Sequence, residues 1–465
     1  MVLASLKSLQ RAVYHQQLIV RLKKHVEPVT FLEAARICLL RHAGFMAHFL
    51  LLEDELFQRR LKIECPASEF RDVADLDTFL AEDGPLPLGR NQPAWRSTFL
   101  QLAPDDQVWV WTFHHAICDG VSSVPLLNEI FAAYDELRAD REPSRAPVRP
   151  DMLDHLGWLE KQDWERAKAG WQSRISPGET ATQLPEVRGF FESRAPATQT
   201  LQRETVRIDT EMRAALDRLI VENDITANTV IIGALAVTLG RLRSESRVIF
   251  GAMREARRSS IAGAESIAGS LTNTLPICLD LPENVSVAEW LREIRREWIA
   301  LRALEQCSLA QIMEWTGLGI GADTLPILLD FRRATLDARL QAAGLGERCA
   351  VELRQANDLA LMIGGYEKPA LQLEVVWRGD RVPATTAELI ARTLEFALRS
   401  FAQDPQQTLG RIEVVNEEQR ATIETAALAR YQLAAPPFAH ALIEEQNVQT
   451  AGYTGAGQLQ PFDEL

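Results

Sequence analysis

His114-His115-Ala116-Ile117-Cys118-Asp119-Gly120 is the stretch whose reading decides the fold. It follows Val108-Trp109-Val110-Trp111-Thr112-Phe113, an alternating run that predicts a half-buried strand by its period of two. After it, Ser122 or Ser123 can cap a helix in which Val124, Leu127, Phe131 and Tyr134 keep helical spacing out to about Arg138. The two histidines thus stand at the end of a strand, and Asp119-Gly120 turn the chain into a helix.

Adjacent residues on a strand point to opposite faces, so only one of the two rings can reach a given cleft. His115 falls on the side of Trp109, Trp111 and Phe113, and His114 on that of Val108, Val110 and Thr112. An imidazole titrates near pH ~6.5 and can take and return a proton. Asp119 is placed either to cap the turn or to hold an arginine from elsewhere. Gly120 allows close backbone approach at the turn, because it has no Cβ. The plainer reading of these residues is a pair of satisfied strand histidines beside a capping Asp.

Together these residues resemble the HHxxxDG signature of nonribosomal peptide synthetase condensation domains, within the chloramphenicol-acetyltransferase-like acyltransferase superfamily. Further segments carry the likeness over roughly residues 5 to 424. Thr226-Ala227-Asn228-Thr229-Val230 and the apolar helix through Leu242 match the family's helix, and Arg247-Val248-Ile249-Phe250-Gly251 its strand. Gly269-Ser270-Leu271-Thr272-Asn273-Thr274-Leu275-Pro276 resembles the family's GxFVNTLP segment, and Trp377-Arg378-Gly379-Asp380 stands at a family turn.

The resemblance implies an α/β fold of two chloramphenicol-acetyltransferase-like lobes in a V shape, with the active site in the tunnel between them. The lobes are expected at 1–178 and 179–424, with 425–465 as a tail resembling a linker or docking segment. By the same resemblance His115 is catalytic and His114 structural. Asp119 pairs with an arginine, for which Arg257 is the candidate and Arg254 and Arg258 the fallbacks. Ser122 matches a serine common after the motif, though its type and place read first as a helix cap. Asn273 is expected to brace backbone near the channel.

The implied chemistry joins an acyl group, held as a thioester on the phosphopantetheine arm of an acyl or peptidyl carrier protein, to an amine or hydroxyl. The acceptor is a second carrier-bound group or a free small amine or alcohol. No cofactor and no metal is expected on this chain. Three other readings compete. An epimerisation domain shares HHxxxDG, but its EGHGR-like segment is absent. A CoA-dependent O- or N-acyltransferase of the same superfamily uses a different donor. A non-catalytic recruiting domain typically has an eroded histidine motif.

Composition narrows the setting. A chain of 465 residues, 46% hydrophobic and 25% charged, is long enough for two cores. No apolar run approaches the ~18–20 residues of a membrane helix, and Met1-Val2-Leu3-Ala4-Ser5 starts no signal peptide. Cys38, Cys65, Cys118, Cys278, Cys307 and Cys349 lack CxxC spacing and read as reduced residues of a cytoplasmic protein. A formal charge of −14 argues against nucleic acid as a partner, and carrier docking then needs a local basic patch. Lys7, Arg11, Arg21, Lys23 and Lys24 form one candidate, and Arg254, Arg257 and Arg258 another.

Turn-rich stretches at Glu142–Pro147 and from Ser176 to Thr198 mark connections. On the long helix expected around Val287–Leu304, Glu289, Arg292, Glu293 and Arg296 have the spacing of surface ion pairs. Departures from the family fall at Arg41-His42-Ala43-Gly44, Asp154-His155-Leu156-Gly157-Trp158 and Glu305-Gln306-Cys307-Ser308-Leu309-Ala310, which points to an unusual substrate. Pro436 to Gln446 resembles the junction where an adenylation domain begins. The tail then reads as a relic, a chain cut at that point, or a docking peptide at Gln458–Leu465. The expectation is an essentially free-standing enzyme that receives its donor in trans.

Overall fold

A computed structural model describes residues 14–52, 55–60, 68–88, 94–144, 149–185, 201–319, 325–355 and 359–414, with two short strands, Ala451–Tyr453 and Leu459–Pro461, beyond them. The basic residues Lys7 and Arg11, Cys65 and most of the tail after Glu424 lie outside the described residues.

The first half supplies β1 (His15–Leu22), β2 (Ala47–Leu52), β3 (Glu55–Arg60), β4 (Ser68–Asp72), β5 (Trp95–Ala103) and β6 (Asp106–His114). The second supplies β7 (Leu201–Val206), β8 (Arg247–Glu255), β9 (Thr272–Asp280) and β10 (Ile327–Ala334), then β11 (Cys349–Gln355), β12 (Leu361–Lys368) and β13 (Gln372–Arg378). While β2 and β3 pair with each other, the other eleven form a five-stranded sheet in the order β11-β1-β6-β5-β4 and a six-stranded sheet in the order β7-β13-β12-β10-β8-β9. With helices packed on both, this is the two-lobed α/β architecture that the motif implied.

The alternation along β6 explains its place in the first sheet. Trp109, Trp111 and Phe113 are fully buried on one face, where Trp111 stacks on Phe113 at 4.2 Å between centroids. That face packs on the helices Pro28–Arg41 and Ser123–Arg138 through Phe31, Leu127, Ile130 and Phe131. On the other face Val108 and Val110 join Ile19, Phe79, Leu80 and Leu100. Removing such aromatic area from water is worth several kcal/mol per side chain before entropy is counted.

The second lobe is organised by the helix Ala227–Arg243, which Thr226 caps by accepting from the Thr229 amide. It is buried on every side, because the helices Val287–Ala300 and Ala384–Gln403 cover it from outside the sheet. This helix, β8 and the helix near residue 287 lie where their sequence patterns predict. Of the expected surface pairs, Arg296 does bond Glu293, but Arg292 donates to Asn223 Oδ1 at 2.7 Å.

The division into lobes is not sequential at one point. β11 leaves the second half and pairs antiparallel with β1, from Gln16 opposite Gln355 to Leu22 opposite Cys349. Leu18 and Val20 stand opposite Leu353 and Val351, so the exchange extends an apolar face and covers what is otherwise an open sheet edge. The stretch 349–355, expected in the second lobe, therefore sits in the first sheet. Among the described residues no single helix is long and apolar enough to cross a membrane.

Candidate active site

The turn after β6 is held from three directions. β1 lies beside β6 with His15 opposite His114, and the His115 amide donates to Tyr14 O at 2.8 Å. His114 ends the strand and is 2% exposed. Its Nδ1 accepts from the Ala116 amide at 3.1 Å, and its ring packs edge-on to His15 at 5.9 Å. Burial, with His15 beside it, pushes its pKa down to about 3, so it stays neutral in the fold.

His115 leaves the strand as the chain turns, so strand alternation no longer sets its direction. Its Nδ1 lies 2.9 Å from Cys118 O. A carbonyl cannot donate, so in the neutral ring Nδ1 carries the proton and Nε2 keeps its lone pair. His115 is half-buried, whereas Cys118 is fully buried and its thiol is pushed far up by desolvation. A thiol in that state is no nucleophile.

Asp119 and Arg257 are each 1% exposed and meet across the lobes. Arg257 donates Nη1 to Asp119 Oδ2 at 2.8 Å and Nη2 to Oδ1 at 2.9 Å. The Leu271 amide and the Thr272 hydroxyl also donate to Oδ2, at 3.0 and 3.1 Å. Burial alone raises a carboxyl pKa, but the Arg257 guanidinium and these hydrogen bonds hold Asp119 below its ordinary value. Asp119 also takes the local role, accepting from the Ser122 amide at 3.2 Å.

The fallback arginines are occupied differently or stand apart. Arg254 makes its own buried pair with Glu305, Nε to Oε2 at 2.8 Å, and lies over the Trp298 ring. Arg258 is exposed.

Ser122 is not the cap its position promised. It precedes the helix Ser123–Arg138 but makes no side-chain cap bond. Its hydroxyl donates to Asp119 Oδ1 or Gly269 O, each at 3.0 Å, and accepts from the Gly269 amide at 3.1 Å and Arg257 Nη2 at 2.9 Å. The demand of the interlobe clasp outweighs the helix end, because those partners are buried and have no water to turn to. Asn273 donates to the carbonyls of Glu305, at 3.0 Å, and Cys307, bracing that turn against β9.

Gly120 is overlain by side chains from the second half. A Cβ there lies 3.1 Å from Arg332 Nη1 and 3.4 Å from Leu353 Cδ2. Arg339 donates to Gly120 O at 3.1 Å and Val121 O at 2.6 Å. Neither arginine was a candidate from sequence. The signal available was Asp330-x-Arg332 at the end of the apolar run Ile327-Leu328-Leu329, which puts two charges on one face of a core strand.

The departures from the family pattern carry polar ties. His155 Nδ1 lies 2.6 Å from Ser260 Oγ, and His42 Nε2 lies 3.3 Å from Glu129 on the motif helix. Cys38, Cys118, Cys278, Cys307 and Cys349 are free thiols, and no group of metal-ligating side chains is found among the described residues.

Comparison with known proteins adds to this geometry. A family model described as "Condensation domain" matches residues 2–424. Bacitracin synthase 3 of Bacillus licheniformis is 24% identical over 455 residues, 95% of this chain and 7% of that protein. Chondramide synthase cmdD of Chondromyces crocatus is 26% identical over 256 residues, 54% of this chain and 6% of that protein. The chain thus spans a small fraction of these relatives. Among solved structures, the X-domain from teicoplanin biosynthesis superposes with a TM-score of 0.74 at 19% identity, covering 89% of this chain and 96% of that one. The condensation domain from Monacolin K polyketide synthase MokA gives 0.72 at 15% identity, covering 87% and 96%.

Proposed function

The chain belongs to the condensation-domain family, a family of acyl-transferring enzymes, and from that premise we propose that it moves an acyl group from a carrier-protein phosphopantetheine thioester to an amine or hydroxyl, with His115 as the base. The product is an amide or an ester, and the reduced arm departs as a thiol. The setting proposed is the cytoplasm, with no cofactor held by the chain itself.

One observation carries this reading: the Nδ1–Cys118 carbonyl bond leaves His115 Nε2 as an acceptor on a ring whose neighbour is locked inward. A thioester is already activated, so no covalent enzyme intermediate is required. The nucleophile's N–H or O–H donates to Nε2 as its lone pair adds to the thioester carbonyl carbon. The proton that Nε2 takes is returned to the sulfur as the C–S bond breaks. Proton transfer of this kind is typically worth about 10²–10⁴-fold, and alignment of the two reactants supplies more.

Around it, the Asp119–Arg257 pair fixes the shape of the turn rather than adding much net stability. It ties the strand end that bears His115 to the β8–β9 side of the other lobe, so the two walls of the site keep one spacing. The test is incubation with an acyl-loaded carrier protein or with the matching acyl-CoA, read by intact mass. Unloading of the carrier in preference to CoA supports the proposal. Preference for CoA moves the chain to the CoA-dependent acyltransferases, and unloading of neither removes the catalytic reading.

A further inference from the structure

Between the outer face of the second sheet and the crossing strand β11 lies a cavity of about 620 Å³ that reaches Gly120. Arg203, Asp330, Arg332, Met362, Tyr366 and Glu374 line its sheet side. The alternate residues Leu329, Ile363, Leu373 and Val375 turn into the core, so this polar face is the sheet's other side.

Four arginines and four carboxylates line the cavity, but they are not evenly paired. Near the rim, Arg203 pairs with Glu374 at 3.6 Å, and Arg354 with Glu352 and Asp77 at 2.8 and 2.9 Å. Arg332 spends Nε and Nη2 on Asp330, at 2.9 and 2.8 Å. Its Nη1, which has no hydrogen-bond partner among the described residues, lies close to Gly120. Arg339 stands behind, and its bonds go to the carbonyls of Gly120 and Val121 rather than to a carboxylate. Asp337 also lines the cavity but is exposed, where water screens it. Among the described residues Asp330 is thus the one carboxylate that either guanidinium hydrogen-bonds, while Glu255 and Asp119 act on Arg339 through space. Burial, with Arg332 nearby, lowers the pKa of Arg339, although Glu255 and Asp119 oppose the shift.

We propose that this cavity is a side-chain subsite for a substrate bearing a free carboxylate, held by Arg332 Nη1 with Arg339 behind it, so that the acyl or acceptor group this chain uses is acidic. An unspent guanidinium N–H beside a cation that hydrogen-bonds only carbonyls is suited to a carboxylate oxygen, and Asp330 holds the fork still so that little entropy is lost on binding. The proposal deepens the acyl-transfer reading and rests on it for the word substrate, though not for the binding site itself.

The test has two arms on the full chain. In the first, calorimetry measures binding of glutarate, glutaramide and inorganic phosphate to the wild type, to Arg332→Gln and to the double variant Asp330→Asn/Arg332→Gln. The double variant strands no carboxylate and separates loss of the site from loss of the fold. Glutarate is expected to bind at least tenfold more tightly than glutaramide, and both variants to lose that margin. Equal binding of the two, an unchanged margin in the variants, or tighter binding of phosphate than of glutarate overturns the proposal.

In the second arm, kcat/KM is compared for glutaryl against glutaramoyl donor thioesters, and for glutamyl against glutaminyl acceptor thioesters. One pair is expected to show a preference for the acid in the wild type that falls to near unity in Arg332→Gln. No preference in either pair overturns the proposal. Absence of product from every thioester, with Arg332-dependent glutarate binding intact, defeats the His115 reading and leaves the anion subsite standing.

Discussion

Arg257 grips both oxygens of Asp119, at 2.8 and 2.9 Å, although 138 residues separate them in the chain. Neither side chain has water to fall back on, since each is 1% exposed. Removing one partner strands a buried charge, which typically costs about 3–5 kcal/mol, whereas removing both costs less. Arg257→Met is therefore expected to lower unfolding stability by about 3–5 kcal/mol, and Asp119→Asn/Arg257→Met to recover part of it. Urea unfolding of Arg257→Met and of the double variant measures this. A loss under about 1 kcal/mol in Arg257→Met contradicts it.

Ser122 and Ser123 separate a clasp from a bystander. Ser122→Ala leaves the Gly269 amide without its acceptor at 3.1 Å, for an expected loss of about 1–3 kcal/mol. The Ser123 hydroxyl is buried without a partner among the described residues, so Ser123→Ala is expected to be neutral or stabilising. Thermal melting of both variants decides it, and equal effects contradict the assignment.

His114 gives the fold a signed dependence on pH. Its pKa is about 3 in the fold, against roughly 6.5 for an unfolded histidine. Between those values the unfolded chain binds the extra proton, so stability falls as pH falls, by at most about 1.4 kcal/mol per unit. Above the upper value the group has no effect. His114→Asn keeps an acceptor for the Ala116 amide but does not titrate. The wild type is expected to lose about 2 kcal/mol more than this variant between pH 7 and pH 5, by denaturant melts at both. Equal losses contradict a neutral, buried His114.

What sequence revealed and what it hid divide along one line. The passage from β6 to the helix at 123 was legible because the change from period two to helical spacing is local, as was the helix near 287. Arg257 was reachable only by counting along a family pattern, since no local period marks a contact over 138 residues. The use of Ser122 by the other lobe, the crossing of β11 into the first sheet and the cover that Arg332 and Arg339 place over Gly120 were not legible. Each depends on a partner brought up by tertiary packing, where local preference is outvoted. His115 shows the same effect on a smaller scale: its ring direction follows from the Cys118 carbonyl, not from strand parity.

Nε2 of His115 is the acceptor of the nucleophile's proton on which the proposed chemistry turns, and the most direct measurement is single-turnover acyl transfer from a loaded carrier protein by wild type and His115→Ala. Because, among the described residues, the ring bonds only a turn carbonyl through Nδ1, the variant is expected to melt within a few degrees of wild type while product formation falls at least about 100-fold. A well-folded His115→Ala that forms product at close to the wild-type rate contradicts the role given to that ring.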